Sequence, residues 1–280
     1  MYLTRHLTES GPRWAVDGQW LVASFDLGWL MAVPGERATA FIESCKSKGE
    51  ATGPLLAPVE RETEVWASGV TYLRSRDARM HESDTGDIYD KVYDAERPEL
   101  FFKCAGWRTR GPGEHIRVRR DATWNVPEPE LVLVSNSGGE IIGYTAGNDV
   151  SSRDIEGANP LYLPQAKVYD GSCSLGPGII LGDAASMAAL PIRLRIERDG
   201  ESVFDGGTGI DQMKRSLQEL VECLYAELTM PNGSMLLTGA GVVPADDFNL
   251  SPGDHVRIDV GPLTLENPVA ARRYPRLREV

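Results

Sequence analysis

The sequence PEPELVLVSNSGGEIIGYTAGND, residues 127–149, decides the fold of this chain. Two apolar runs, residues 131–134 and 141–145, flank the turn-forming segment SNSGGE, an arrangement that is typical of a β-hairpin. If the chain reverses near residue 137, antiparallel pairing brings the residues after Ala146 back beside Glu128. The sequence therefore predicts two neighbouring strands that carry acidic residues at one end.

Glu128 and Glu130 are separated by one residue, so on an extended chain both carboxylates face the same side. Like charges held that close are unfavourable unless a cation neutralises them. The hairpin would add Asp149 as a third carboxylate. Such a set, with no thiolate or imidazole nearby, suits Mg²⁺, and Mn²⁺ accepts it too. The alternative is an exposed acidic edge beside prolines, stabilised by solvent alone.

The rest of the chain indicates a mainly β, α+β protein. Apolar residues alternate over residues 192–196 and 255–260, which predicts strands, and Asp199-Gly200 is typical of a tight turn. One helix is predicted from an N-cap at Asp211 through the apolar face of residues 217–228. A regular alternation of strands and helices is not present, so a parallel α/β sheet is not expected.

The first 58 residues are predicted to form a small N-terminal α/β domain. Apolar stretches at residues 20–25 and 29–33 are typical of strands, and residues 36–48 of a helix. The segment GEATGPLLAP, residues 49–58, has the glycine and proline content of a linker. We therefore predict a second, larger domain over residues 59–280.

Composition restricts the function classes. The chain has 280 residues, 41% of them hydrophobic and 25% charged, as in soluble globular proteins. Its 29 basic and 41 acidic side chains give a net charge of −12, which argues against binding to nucleic acid or to anionic membranes. Four scattered cysteines and the lack of a signal-like or membrane-spanning apolar run favour a cytoplasmic protein that acts on a small molecule.

Three motifs carry a resemblance to a known family. PEPEL at residues 127–131, GYTAGNDVSSRD at 143–154 and QAKVYDGSCSLGP at 165–177 resemble, in order and spacing, the motifs of the fumarylacetoacetate hydrolase family. The resemblance extends from about residue 64 to residue 260. It implies the rolled, mixed β-sheet barrel of a fumarylacetoacetase-like catalytic domain, and assembly as a homodimer.

The resemblance also implies roles for individual residues. Glu128, Glu130 and Asp149 would hold a magnesium ion, and Lys167 would lie beside the metal and the substrate. A closer match, in ATWNVPEPEL and ANPLYLPQAKVYDG, is to the dehydratases of 2-keto-3-deoxy sugar acids within the family. In that subgroup the glutamate of RPE, here Glu99, is implied as an acid/base. Substrate-binding positions are assigned to Ser68, Gly69, Lys103, Arg153, Thr238 and Gly239.

One family feature is missing. Hydrolases of the family carry a histidine and a glutamate that activate water, and Ser75 and Ala78 stand at those positions here, with His81 and Glu82 out of register. Ala240 also replaces a usual threonine in the substrate loop. The predicted reaction is thus magnesium-dependent dehydration of 2-dehydro-3-deoxy-D-arabinonate or xylonate to 2-oxoglutarate semialdehyde, as in pentose catabolism.

Alternatives remain open at the level of sequence. A metal-dependent hydrolase or decarboxylase could cleave a carbon–carbon bond of an acylpyruvate, and a non-catalytic keto-acid binder would keep the fold alone. Glu99 and Lys167 are the candidates for proton transfer, and the sequence does not decide which is the acid and which the base. For Glu99 the structural alternative is an ion pair with Arg97, and for Lys103 it is a lysine whose ammonium group reaches solvent at a strand end.

Overall fold

A computed structural model describes residues 1–73 and 87–270 of the chain, with the backbone alone at residues 87–90. The positions Ser75 and Ala78, where the hydrolase pair would stand, and also His81 and Glu82, lie outside these residues. Within the described part no helix is long and apolar enough to cross a membrane.

Strands dominate the described residues, as the sequence predicts. In chain order they are Tyr2–Thr8 (β1), Gly11–Val16 (β2), Gln19–Leu21 (β3), Lys46–Glu50 (β4), Glu64–Gly69 (β5), Glu99–Ala105 (β6), Asn125–Val126 (β7), Pro129–Ser135 (β8), Ile141–Asp149 (β9), Ser151–Ser152 (β10), Cys173–Leu181 (β11), Pro191–Arg198 (β12), Glu201–Gly209 (β13), Ser234–Leu237 (β14), His255–Val260 (β15) and Leu263–Pro268 (β16). The helices are Leu27–Met31 (α1), Ala38–Ser44 (α2), Asp87–Asp94 (α3), Arg153–Ala158 (α4), Leu163–Lys167 (α5), Ala184–Met187 (α6) and Leu217–Tyr225 (α7).

The main sheet has ten strands in the order β4-β3-β2-β1-β11-β9-β8-β14-β5-β6. It is mixed, because β5 and β14 pair in parallel while its other described neighbours are antiparallel. A second sheet has the order β13-β12-β15-β16, and β7 pairs with β10 in a short third one. No sheet closes on itself in residues 1–73 and 87–270, so the mainly β, mixed-sheet prediction is confirmed and the closed barrel is not.

The predicted hairpin is present and has the predicted register. Strands β8 and β9 pair with Leu131 opposite Ala146 and Pro129 opposite Asn148, so Asp149 returns beside Glu128. The apolar run of β8 continues without polar interruption because the strand is buried on both faces. Alternate residues enter two hydrophobic cores, which is typical of a central strand.

The N-terminal segment adds its strands to the same sheet. Strand β1 pairs with β11 through Leu3 and Ile179, and apolar residues of β1, β2 and α1 share one core with β8. The sheet therefore continues across residue 58. The division of the chain at that residue stays a prediction.

The predicted strand at residues 29–33 is wrong. The Asp26 carboxylate accepts a hydrogen bond from the Gly28 amide and caps helix α1, whose Leu27, Leu30 and Met31 are buried with helical spacing. The predicted helix at residues 36–48 is shorter than expected. It ends at Ser44, because residues from Lys46 onward pair with β3 instead.

Helix α7 is present, but its predicted N-cap at Asp211 is wrong. The Ser216 hydroxyl accepts from the Glu219 amide, so the helix begins at Leu217 and Asp211 lies in a separate 3-10 turn. The sequence S-x-x-E at residues 216–219 is a capping-box signal. The helix buries Leu220 and its apolar neighbours in the core between the two large sheets.

Candidate active site

Three buried carboxylates meet at the open end of the β8–β9 hairpin. One ligand atom each from Glu128, Glu130 and Asp149 lies within 4.8 Å of the others, and these side chains are at most 4% exposed. The Asp149 amide donates to the Glu128 carbonyl over 2.9 Å, and the Glu128 amide donates to Asn148 Oδ1 over 3.1 Å. These hydrogen bonds hold the backbones of Glu128 and Asp149 beside each other.

Cationic side chains surround Glu128 and Asp149. Arg153 Nη2 lies 2.9 Å from Glu128 Oε1, and Lys167 Nζ lies 2.7 Å from Glu128 Oε2 and 3.0 Å from Asp149 Oδ2. Lys167 also donates to Ser151 Oγ. These three acceptors match in number the three N–H bonds of an ammonium group.

Lys103 lies behind the cluster. Its side chain is 0% exposed, and its ammonium group contacts Asp149 Oδ1 and the carbonyl oxygens of Lys167 and Val150. The alternative of a lysine that reaches solvent therefore does not apply. Lys103 does not line the pocket described below, and its assignment to the substrate carboxylate stays a prediction.

Glu130 occupies the least compensated position of the three carboxylates. Burial, and next the charges of Asp149 and Glu128, raise the pKa of Glu130 well above its usual range. The Gly239 amide, which donates to Glu130 Oε2 over 2.6 Å, and the charge of Lys167 act in the opposite direction. A cation bound here would relieve this repulsion.

A small pocket, with a cavity volume of about 20 Å³, opens onto the cluster. Among the described residues, four acidic and two basic side chains line it, so its charge favours a divalent cation ahead of an anionic substrate. The lining residues are Ser68, Gly69, Val70, Glu99, Phe101, Glu128, Asp149, Arg153, Glu156, Lys167, Gly239 and Ala240.

Glu99 reaches this pocket from the edge strand β6. It pairs with Gly69 on β5, and a Cβ added at Gly69 would lie 2.0 Å from Glu99 Oε2. Glycine at position 69 therefore leaves the space that the Glu99 carboxylate occupies. Glu99, implied by resemblance, lines the pocket from strand β6, and Lys167 lines it from the end of helix α5.

The remaining predicted substrate-binding residues divide into two groups. Ser68, Gly69, Arg153 and Gly239 line the pocket. The Ser68 hydroxyl is buried and has no hydrogen-bond partner among residues 1–73 and 87–270. Thr238, in contrast, donates its hydroxyl to the Leu131 carbonyl and does not line the pocket.

The residues present fit a magnesium ion. Buried carboxylate oxygens are the ligands that this ion prefers, and no cysteine or histidine belongs to the cluster within the described chain. The raised pKa of Glu130 indicates that its neighbours do not fully compensate its buried charge. Glu128, Glu130 and Asp149 could hold the metal.

Comparison with known proteins identifies the family of this chain. The family model described as fumarylacetoacetate (FAA) hydrolase C-terminal matches residues 65–270, most of the chain. The chain belongs to the fumarylacetoacetate hydrolase family. The match begins inside β5 and includes the hairpin and the strand that carries Glu99.

Individual members of the fumarylacetoacetate hydrolase family are similar over longer stretches. A Haloferax volcanii protein named probable 2-keto-3-deoxyxylonate dehydratase is 51% identical over 214 residues, which cover 76% of this chain and 73% of that protein. A Saccharolobus solfataricus protein named 2-dehydro-3-deoxy-D-arabinonate dehydratase is 43% identical over 216 residues, 75% of this chain and 72% of that one.

A solved structure of the same kind extends the comparison to the whole fold. A 2-keto-3-deoxy-D-arabinonate dehydratase complexed with magnesium and 2,5-dioxopentanoate superposes with a TM-score of 0.83 at 34% sequence identity. The superposition covers 98% of this chain and all of that one. The N-terminal strands, which the family model leaves out, are therefore included in the similarity.

Sequence reasoning missed several residues of this family site. Glu156 is 2% exposed and lines the pocket from helix α4, one turn after Arg153. Its spacing of three residues from Arg153 on a helix is a signal that could have found it. Val70 and Phe101 also line the pocket, and their side chains carry no polar group that could have marked them. The sequence indicated this part of the pocket only through the nearby Gly69 and Lys103.

Proposed function

We propose that this chain is a magnesium-dependent hydro-lyase that removes water from a 2-keto-3-deoxy pentonic acid. The substrate would be 2-dehydro-3-deoxy-D-arabinonate, which is also the 2-keto-3-deoxy acid of D-xylonate, and the product 2-oxoglutarate semialdehyde, another name for 2,5-dioxopentanoate. The observation that carries the proposal is a pocket in which Glu99 and Lys167 lie with two buried carboxylates of a metal-binding set. The substrate is inferred from the names of the relatives.

The metal would be held by Glu128, Glu130 and Asp149. The chemistry that magnesium supplies when bound is Lewis acidity toward the carboxylate and keto oxygens of a 2-keto acid, which makes the C3 protons more acidic. Arg153 and Lys167 contact the carboxylates from the protein side and keep them oriented. The ligand set accepts Mn²⁺ as well.

The reaction needs one base and one acid. Removal of a C3 proton leaves an enolate, and the C4 hydroxyl then departs with an added proton as water. Transfer of a proton from C5 to C3 converts the unsaturated keto acid into an enol, which becomes the C5 aldehyde when C4 gains a proton and the C5 hydroxyl loses one. The sum is loss of one water molecule, with no change in the number of carbon atoms.

We assign Glu99 as the base and Lys167 as the acid. Lys167 Nζ has three acceptors, the number that an ammonium group can serve, and an ammonium group can give a proton to a departing hydroxyl. Glu99 lines the same pocket from strand β6, and a carboxylate is a competent base for an acidified C3 proton. The buried Ser68 hydroxyl is available for a substrate oxygen, and Gly239 and Arg153 line the wall beside it.

Turnover of 2-dehydro-3-deoxy-D-arabinonate tests the proposal. Purified protein with added Mg²⁺ should form 2-oxoglutarate semialdehyde, detected by a coupled dehydrogenase. EDTA should abolish product formation and excess Mg²⁺ should restore it. If a folded, metal-loaded sample forms no product but cleaves an acylpyruvate, the carbon–carbon hydrolase alternative replaces the dehydratase.

We further propose that the protein is a cytoplasmic homodimer with a rolled, barrel-like main sheet. All four cysteines are free thiols, which suits a reducing compartment. Phe102 on edge strand β6 and Trp107 just after it are exposed, as expected for a face that a second subunit covers. Sedimentation velocity would give twice the mass of the chain if this is correct, and a single-chain mass would contradict the dimer.

A further inference from the structure

Thr71 follows strand β5 and is completely buried. It does not belong to the carboxylate cluster. Its hydroxyl donates to the Thr238 carbonyl over 2.7 Å. The same peptide unit carries the Gly239 amide, which donates to Glu130 Oε2 over 2.6 Å. A trans peptide directs its C=O and N–H in opposite directions. The hydroxyl of Thr71 and the carboxylate of Glu130 therefore hold one peptide plane from its two ends.

The local backbone leaves this peptide little freedom. Gly239 has φ +95°, and a Cβ added there would lie 2.1 Å from Thr71 Oγ1. Thr71 is itself fixed, because the Lys214 amide donates to its carbonyl over 2.9 Å. Val70, immediately before it, has φ +53°, a strained value for a β-branched residue. Strain of this kind persists only where the surrounding contacts impose it.

We propose that Thr71 is a positioning residue that sets the Gly239 amide against Glu130 and thereby tunes the affinity of the carboxylate cluster for a divalent cation. This inference rests on the proposed function. A hydrogen bond to a carbonyl strengthens the amide of the same peptide as a donor. The hydroxyl thus acts on Glu130 through a peptide that it holds, without touching metal or substrate.

Two variants of Thr71 test the inference. Thr71→Val keeps the shape of the side chain and removes the hydroxyl, whereas Thr71→Ser keeps the hydroxyl and removes a methyl group. Groups that orient metal ligands typically change affinity by about 10- to 100-fold. We expect the valine variant to raise the Kd for Mn²⁺ by about tenfold or more, and the serine variant to stay within about threefold of the wild type.

Thr145→Val is the matched control. Thr145 is buried, and its hydroxyl also donates to a backbone carbonyl, that of Gly176, over 3.1 Å. Thr145→Val should lower the free energy of unfolding as Thr71→Val does, and it should leave the Kd for Mn²⁺ unchanged. Free Mn²⁺ would be measured by electron paramagnetic resonance without substrate, so the readout does not depend on turnover. If Thr71→Val is insoluble, Thr71→Ala replaces it with the same expected result.

The possible outcomes distinguish the role of Thr71 from the existence of the metal centre. If the wild-type protein binds Mn²⁺ and Thr71→Val binds it with the same affinity, the proposed role of Thr71 is wrong and the metal centre is unaffected. Equal loss of affinity in the Thr145 control would overturn the role of Thr71 too, because the effect would then follow stability. Wild-type protein that binds no divalent cation would overturn the metal centre and this inference together.

Discussion

Replacing Lys103 with methionine tests whether this lysine neutralises Asp149. The Lys103 side chain is fully buried, and its ammonium group contacts the Asp149 carboxylate and two backbone carbonyls. Methionine keeps most of the volume and removes the charge. Loss of one partner of a buried ion pair costs about 3–5 kcal/mol, because the other charge stays buried without compensation. We expect Lys103→Met to lower the free energy of unfolding by this amount in EDTA.

Magnesium should restore part of that loss. Removing a positive charge beside the carboxylates tightens binding of a cation to them, and tenfold tighter binding adds about 1.4 kcal/mol of stability at saturating metal. The stability difference between Lys103→Met and the wild type should therefore shrink by about 1–2 kcal/mol when saturating Mg²⁺ replaces EDTA.

Urea unfolding followed by circular dichroism, with and without the metal, measures both effects. Lys214→Met is the control, since Lys214 pairs with Asp94 at the surface and such pairs contribute only about 0–1 kcal/mol. Its effect should be the same in EDTA and in Mg²⁺. The reasoning would be refuted if Lys103→Met lowered the free energy of unfolding by less than about 1 kcal/mol in EDTA. It would also be refuted if the decrease were equal in EDTA and in Mg²⁺.

Further predictions concern the pocket and the hairpin. Glu99→Gln should lower kcat by about 100-fold or more while the Mg²⁺ Kd stays within about twofold of the wild-type value; an unchanged kcat in the coupled assay would remove Glu99 from the chemistry. Gly69→Ala should displace the Glu99 carboxylate and lower kcat as well, again with metal affinity retained, as calorimetry would show. The Gly35 amide, and next the Asn136 side chain, hold the pKa of Glu140 below its usual range, so Glu140→Gln should lose stability at neutral pH. This difference should disappear as the pH falls through the lowered pKa, and a constant difference down to about pH 2 would contradict it.

The sequence predicted the register of the hairpin correctly, because local signals determine it. Turn residues between two apolar runs set the register, and the register brings Asp149 beside Glu128. The carboxylate spacing alone left an exposed acidic edge as the alternative, and the resemblance to the family favoured a cation. The prediction that Glu128 and Glu130 face the same side needs only the alternation of side chains along an extended chain.

Predictions that depended on distant contacts were less successful. Residues 29–33 have apolar character that suits a strand or a buried helix, and packing of this segment into the core shared with β8 favours the helix. Thr71 gave no signal, because its partner lies 167 residues later in the chain. Packing across the sheet decides such cases, and periodicity does not report it.

The two halves of the site rest on strands that differ in their tolerance of change. Strands β8 and β9, which carry two of the carboxylates, are paired on both sides in the middle of the ten-stranded sheet, whereas β6, which carries Glu99, is an edge strand. Among the described residues β6 pairs with one strand, so a substitution or insertion along it disturbs fewer strand contacts. Evolution could therefore exchange the proposed proton-transfer group and change the reaction of a bound keto acid, while the proposed cation centre is inherited unchanged.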